Sequence, residues 1–429
     1  MLEYVNEPDG LFKRIENRSS LDNPEVFSTV MQIMKDIRDE GDEALRRYTL
    51  QFDNCLINDF LVSKEEISSA YDEIDGSLLE IIRESGKNIT EYHKKQKQES
   101  WMWEKAPGIS LGQRISAVSR AGVYVPGGTA PLISSVLMNV IPASVAGVGE
   151  IIVCTPPDAA GEIDCKRIVA AVEAGASKIY KAGGAQAIFA MAFGTKSIPK
   201  VDKITGPGNI YVANAKKFAY GYCGIDMIAG PSEILIIADG NANPAFIAAD
   251  LLSQAEHDPM AAAVLIAFSK ELAEKVDNEL EKQLASLPRK DIAASSLKSL
   301  GTVYIADSSA DAIAVANGMA PEHCELLVDN PEKYVEGIIN AGAIFIGGYS
   351  PEPLGDYWAG PNHTLPTGGT ARFYSPLGVY DFYKRTSIIN CDKAALKKDY
   401  EKIKAFAQAE GLDAHANAIV IRFTEDEDE

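Results

Sequence analysis

The runs GVYVPGG (122–128), EIIVCTPP (150–157), KIYKAGG (178–184) and VDKITGPG (201–208) decide the fold. Each is short, rich in β-branched or aromatic residues and ended by glycine or proline, which is how a strand running into a turn reads. Each is followed by a helical stretch: PLISSVLMNVIPASVAGV (131–148), CKRIVAAVEAG (165–175), AQAIFAMAFG (185–194) and NIYVANAKKFAYG (209–221). Strands alternating with helices predict βα units on a parallel sheet. Glycines gather where strands hand over to helices, the edge at which open α/β sheets bind ligands. The architecture is nucleotide-sized, although the fold alone names no ligand.

A second α/β set follows. SEILIIAD (232–239) is a strand, and Asn243-Pro244 then supplies an N-cap and a first-turn proline for the helix AFIAADLLSQAEH. AAAVLIAF, TVYIAD, CELLVD and AIFIGG read as further strands, and Gly347–Gly378 is a long irregular segment of the kind that is more often functional than idle. The two sets resemble each other only in texture. The first 110 residues read as mostly helical and charge-rich, and His93, in EYHKKQKQ, reads as a solvated helix residue. SIIN and the charged helix KAALKKDYEKIKAFAQAEG close the chain before an acidic tail, Glu425–Glu429.

The chain has 429 residues, enough for two or three domains. Its formal charge of −20 argues against a binder of nucleic acid, which needs a basic face. No uncharged apolar run approaches the roughly 18–20 residues of a membrane span, and the start MLEYVNEPDG lacks a signal-peptide layout. Six cysteines without CxxC spacing suit reduced thiols and a cytoplasmic location.

Histidine is scarce, with five copies, and four of them fall after residue 254. Gln254 and His257 are three apart on one helix face, with Asp258-Pro259 closing the helix. They read either as metal donors or as a helix C-terminus with a histidine facing the dipole. Glu322 and His323, in APEHCEL, read as an acid–base pair at a strand mouth or as two polar residues of a surface turn. Asp356 and His363 lie in the glycine- and proline-framed segment GDYWAGPNHTLPTGGTARF, where an aspartate serves as hard ligand or turn cap. His415, in AEGLDAHANAI, follows a helix expected to end near Gly411. Together Gln, His, Asp and His make a mixed N/O donor set suited to zinc. The chain has no HExxH, GxGxxG or GxxxxGK[ST]; GPGN followed by Ile210-Tyr211 lacks the third glycine.

IDMIAGPSEILIIAD…AADLLSQAEHDP resembles the signature segment of the histidinol dehydrogenase family. GVYVPGGTAPLISSVLMNVIPA, GGAQAI, VDKITGPGNIYV, APEHCEL, GDYWAGPNHTLPT and EGLDAHANAI are similar to its other blocks, in the same order, from about Leu21 to Arg422. The resemblance implies oxidation of L-histidinol to L-histidine with two NAD, through histidinaldehyde, by a zinc-dependent homodimer at the end of histidine biosynthesis. It implies one zinc per subunit on Gln254, His257, Asp356 and His415, and a catalytic pair, Glu322 and His323. Ser232, His363 and Glu410 would contact substrate alongside those zinc ligands and His323, and Tyr124, Gln186 and Asn209 would line the NAD site. The residues matching Glu410 and His415 reach, in the family, into the partner's site.

The expected fold is α/β: two incomplete Rossmann-like parallel-sheet domains plus small terminal helical or extended segments. The expected partition is an N-terminal segment 1–23, a discontinuous zinc/catalytic domain 24–120 and 235–375, an NAD-side domain 121–234, and a C-terminal dimerisation segment 376–429. The main alternative is a paralogue oxidising another polar alcohol with NAD, such as a sulfonated propanediol; a zinc hydrolase and a non-catalytic binding protein are more distant readings.

Overall fold

A computed structural model describes residues 1–16, 23–127 and 131–423. The acidic tail Glu425–Glu429, Leu21 and residues 128–130 of the first glycine-rich turn lie outside the described residues. The chain forms two compact units, Met1–Lys97 with Val118–Phe382, and Gln98–Ala117 with Tyr383–Glu429. Among the described residues no helix is long and apolar enough to cross a membrane. All six cysteines are free.

The larger unit carries two parallel sheets. In the first, the strands run in the order Lys178–Lys181, Glu150–Thr155, Arg120–Tyr124, Lys203–Thr205, Gly224–Ile225. In the second, the order is Glu3–Val5, Thr302–Ile305, Ala262–Ala267, Glu233–Ala238, His323–Leu327, Ala343–Ile346. Numbered within each set, both five-stranded cores read 3-2-1-4-5, the doubly wound order. The two sets therefore share a topology, which goes beyond the likeness of texture seen in the sequence. The short N-terminal strand adds a parallel edge to the second sheet beside Thr302–Ile305.

The second sheet shows why its strands read as unbroken apolar runs. Ile234 and Ile236 face one core with Leu251, Val276 and Leu297. Leu235 and Ile237 face the other, with Leu11, Val315 and Met319. A strand buried on both faces has no polar side to alternate. On the first sheet, Val30, Ile33 and Ile37 of the helix Pro24–Glu40 pack with Ile188, Met191 and Ile204. That helix starts where expected of an Asn-Pro pair: Asn23 accepts from the Glu25 and Val26 amides. Asn243 does the same for Ala245 at the start of Pro244–Ala255.

His93 corrects an expectation. It is buried, 0% exposed, at the end of the stripe Ile82, Ser85, Ile89, His93 on the helix Gly76–Lys94. Its Nδ1 lies 2.8 Å from the Ile89 carbonyl, and its Nε2 is 3.4 Å from the Asn362 amide nitrogen. Burial pushes its pKa below the ordinary histidine value. The neighbouring charges sit on the other faces of the helix; the three- and four-residue steps from Ile82 through Ser85 and Ile89, not the local charge, set the side on which His93 lies.

The smaller unit is an antiparallel three-stranded sheet, with Ile109–Ala117 between Tyr383–Cys391 and Trp101–Ala106, plus the helices Lys393–Ala409 and Asp413–Val420. Residues 101–117 are therefore strands and not part of a helical N-terminal region. The second of them, Ile109–Ala117, also pairs with Tyr383–Cys391, 266 to 282 residues further on, and no local pattern announces that pairing. Trp101, Met102, Trp103, Ile389 and Phe406 are exposed in this unit.

Candidate active site

The side chains most suited to chemistry meet at the N-terminal ends of two neighbouring strands of the second sheet, Glu233–Ala238 and His323–Leu327. Ser232 precedes the first strand, and its carbonyl accepts from the Ala262 amide. Glu322 precedes the second and is buried. The two strand mouths are cross-bonded: the Glu233 amide donates to Glu322 Oε2 at 3.0 Å, and the Glu322 amide donates to Glu233 Oε1 at 3.2 Å. Glu233 also accepts from the Gly368 amide, which ties in the irregular segment.

His323 Nδ1 lies 3.2 Å from the Glu233 carbonyl and 3.8 Å from Glu322 Oε2. A carbonyl only accepts, so the Nδ1–H points at Glu233 and Nε2 is the ring atom left facing the site. Nε2 is buried, has no hydrogen-bond partner among the described residues and lies 4.0 Å from Asp356 Oδ1. The backbone bond thus fixes the ring and aims Nε2 into the site.

Asp356 sits in a one-turn π-helix, Gly355–Ala359, a rare conformation that often marks functional positions. Its other oxygen is 3.6 Å from His363 Nδ1. Burial works against its charge, but the hydrogen bond and charge of His363, with His323 and His257 nearby, hold its carboxyl below the ordinary value. The structure thus brings His323, Asp356 and His363 together.

The helix Pro244–Ala255 ends beside this edge. His257 Nδ1 is 2.8 Å from the Ser253 carbonyl, a last-turn acceptor with no partner inside the helix, and the ring's Nε2 is left available. His257, Glu352 and Asp356 present ligand atoms within 4.8 Å of one another. Gln254, one turn back, is 0% exposed, and neither its amide oxygen nor its nitrogen has a hydrogen-bond partner among the described residues. A fully buried side-chain amide left unbonded costs about 1–3 kcal/mol. An ion taking the oxygen as ligand removes much of that cost, so the donor set fits a metal.

Sequence reasoning overlooked Glu352, Glu325 and Asp250. Ser253 donates to Glu352 Oε2 at 2.9 Å, and the Glu352 amide donates to Glu325 Oε1 at 2.9 Å. Burial, reinforced by the charge of Asp250, raises the Glu325 pKa, and burial also raises that of Asp250. The signal was present: a glutamate inside the apolar run HCELL and another between Pro351 and Pro353 are hard to explain as solvated groups.

Tyr124, Gln186 and Asn209 gather elsewhere, at the C-terminal edge of the first sheet. They line one cavity of about 890 Å³ together with Asp53, Pro126, Pro156 and Arg167. Tyr124 is buried and its hydroxyl accepts from the Gly184 amide at 3.0 Å; burial pushes its pKa up to about 12. Gln186 is buried with its Nε2 unbonded among the described residues. Asn209 caps the helix Ile210–Ala219 by accepting from Tyr211 and Val212. Glu410 and His415 belong to the smaller unit, where Glu410 closes the helix Lys393–Ala409 and His415 lies within Asp413–Val420; both are exposed. His415 is thus inside a second short helix.

Two Rossmann-like sheets, one with a glycine-edged cavity and one with a histidine–carboxylate edge, place the protein among the α/β proteins of doubly wound type. The family model described as histidinol dehydrogenase matches residues 16–423. The chain is 52% identical over 412 residues to histidinol dehydrogenase of Bacillus subtilis, covering 96% of each chain. It is 52% identical over 429 residues to that of Caldanaerobacter subterraneus, covering 99% of each. The crystal structure of histidinol dehydrogenase from Elizabethkingia anophelis superposes with a TM-score of 0.93 at 40% identity, covering 99% of this chain and 98% of that one. The chain belongs to the histidinol dehydrogenase family of oxidoreductases.

Proposed function

We propose that the protein catalyses the NAD-dependent, zinc-requiring oxidation of L-histidinol to L-histidine through histidinaldehyde, the final step of histidine biosynthesis. Family membership supports the substrate, and the observation that carries the site is the buried, unbonded Gln254 amide beside the donor group of His257, Glu352 and Asp356. Gln254, His257 and Asp356 would hold the zinc, with His415 from a second copy of the chain. Zinc, when bound, would orient the imidazole and amine of the substrate, both good donors to a borderline metal. NAD, when bound in the cavity at Tyr124, Gln186 and Asn209, would accept the hydride.

The chain's own groups then manage protons. In the first half-reaction His323 Nε2 takes the hydroxyl proton as hydride leaves the carbinol carbon. In the second, Glu322 takes a proton from the water that attacks the aldehyde carbon, while His323 returns its proton to the carbonyl oxygen and removes a hydroxyl proton as the second hydride leaves. The sum is one alcohol, one water and two NAD+ to one carboxylate, two NADH and three protons. Ser232, His363 and Glu410 would contact the substrate, Glu410 again from the second copy.

The dimer reading has its own support. In the smaller unit the strands Trp101–Ala106 and Tyr383–Cys391 are largely exposed and carry Trp101, Trp103 and Ile389 at the surface, apolar area of the kind that marks an interface. In this reading residues 376–429 serve dimerisation, residues 121–234 with the helix Pro24–Glu40 packed on their sheet serve the NAD side, and residues 235–375 the zinc side. The decisive measurement is stoichiometry: two NADH per histidinol consumed, abolished by a chelator and restored by zinc. No NADH from histidinol overturns the reading.

A further inference from the structure

The turn after Lys203–Thr205 departs from the glycine-rich dinucleotide motif, because GPGN is followed by Ile210-Tyr211 where a third glycine would let helix and strand approach. The structure shows another means of fixing that turn. Gly206 sits at φ 119°, and a Cβ there would meet the Tyr124 carbonyl oxygen at 2.0 Å. Its amide donates to Asp226 Oδ2 at 2.9 Å, and its carbonyl accepts from Lys216 Nζ at 2.8 Å. Lys216 Nζ and Asp226 Oδ1 are 2.5 Å apart, with side chains only 3% and 1% exposed. One buried ion pair therefore closes a ring around both polar groups of a single backbone residue.

The pair links three elements. Lys216 lies on the helix Ile210–Ala219, Asp226 follows the edge strand Gly224–Ile225, and Gly206 opens the turn that ends in Asn209. Asn209 and Tyr211 line the cavity, and Tyr124, whose carbonyl abuts Gly206, lines it from the neighbouring strand. Burying two charges is unfavourable where apolar side chains of like size would serve, so a pair retained here is better explained by the register it imposes than by stability.

We propose that Lys216 and Asp226 are positioning residues for dinucleotide binding: by clamping Gly206 they set the Asn209 end of the cavity. The inference rests on the reading of that cavity as the NAD site. Two double variants of the full chain test it. Lys216→Met/Asp226→Leu removes both charges without stranding either, and Gly206 loses its clamp. Lys216→Gln/Asp226→Asn keeps a donor and an acceptor of nearly the right reach. In steady-state assays the apolar pair is expected to raise KM for NAD+ about tenfold, the worth of one or two hydrogen bonds. KM for histidinol and zinc content should stay within about twofold of the parent, and the amide pair should recover most of the loss. A KM for NAD+ unchanged in the apolar pair overturns the inference, as does an equal rise in KM for histidinol. Absence of NAD+-dependent turnover in the parent overturns instead the reading on which it rests. Should the apolar pair fail to fold, the amide pair decides against Lys216→Gln alone, which leaves Asp226 buried without its cation: equal KM for NAD+ in the two overturns the proposal.

Discussion

The two parallel sheets share the strand order 3-2-1-4-5, yet they collect their functional groups at opposite edges. In the first sheet the cavity lies past the C-terminal ends of the strands, among Tyr124, Gly184, Gln186 and Asn209. In the second, the loops at the corresponding C-terminal edge bond one another: Asn241 donates to Asp329 at 2.7 Å and the Asp329 amide donates to Asp239. Glu322, His323 and the donors around Asp356 stand at the N-terminal edge instead. Helix polarity explains the division. A C-terminal strand edge receives helix N-termini, whose amides and positive dipole ends favour a pyrophosphate. An N-terminal edge receives helix C-termini, such as that of Pro244–Ala255, whose carbonyls and negative ends favour a cation and protonated partners. One topology thus offers an anion-favouring edge and a cation-favouring edge, and in the proposed function each sheet serves through a different one.

The largest effect should come from the second edge alone. His323→Asn removes the base while leaving the first sheet untouched, so kcat should fall by about a thousandfold with the dissociation constant for NADH, read by fluorescence titration, unchanged. Weakened NADH binding of similar size would dissolve the separation between edges. Next, Gln254→Leu replaces a buried, unbonded amide with an apolar side chain of similar volume. The metal-free protein should melt about 1–3 °C higher, while zinc retained after dialysis falls. A variant that melts lower and keeps its zinc would show that the amide has a structural partner and no ligand role.

How legible each edge was in the sequence follows from the same contrast. The first edge is made by turns, and turns carry local signals: the glycines and prolines after 124, 155, 181 and 205 mark both the strand ends and the cavity. The second edge is made by side chains from segments far apart in the chain. Residue type and scarcity flagged His257, His323, Asp356 and His363, but no local rule says that Glu233 bonds the mouth of a strand 89 residues on. Glu352 and Glu325 were missed for the same reason, and His93 was misread because its burial is set by Ile82 and Ile89 on its own helix. The hairpin 101–117 was hidden most deeply, since its third strand is Tyr383–Cys391.

A smaller effect separates capping from cofactor contact at the first edge. Asn209→Ala strands the Tyr211 and Val212 amides and should cost about 1 kcal/mol of stability. It should also raise KM for NAD+ several-fold, with KM for histidinol unmoved. Asn209→Ser, another good cap with a shorter reach, should restore stability but not KM; recovery of both would make capping the whole role.

The smallest effect is a pH dependence peculiar to the first edge. Asp53 lines the cavity, its Oδ2 is buried without a hydrogen-bond partner among the described residues, and burial alone pushes its pKa from 3.8 up to about 6. Asp356, at the second edge, moves the other way because histidines surround it. For Asp53 the sign follows from proton binding. Between about pH 4 and pH 6 the folded chain holds a proton that the unfolded chain has released, so stability falls as pH rises through that window and levels off above it. Asp53→Asn has no charge to bury. In calorimetric melts its advantage over the parent should therefore be absent near pH 4, grow to on the order of 1–3 °C by pH 6.5 and stay flat beyond. A difference constant across the window would mean that the carboxylate already finds a donor, and that the first edge is electrostatically satisfied before any dinucleotide arrives.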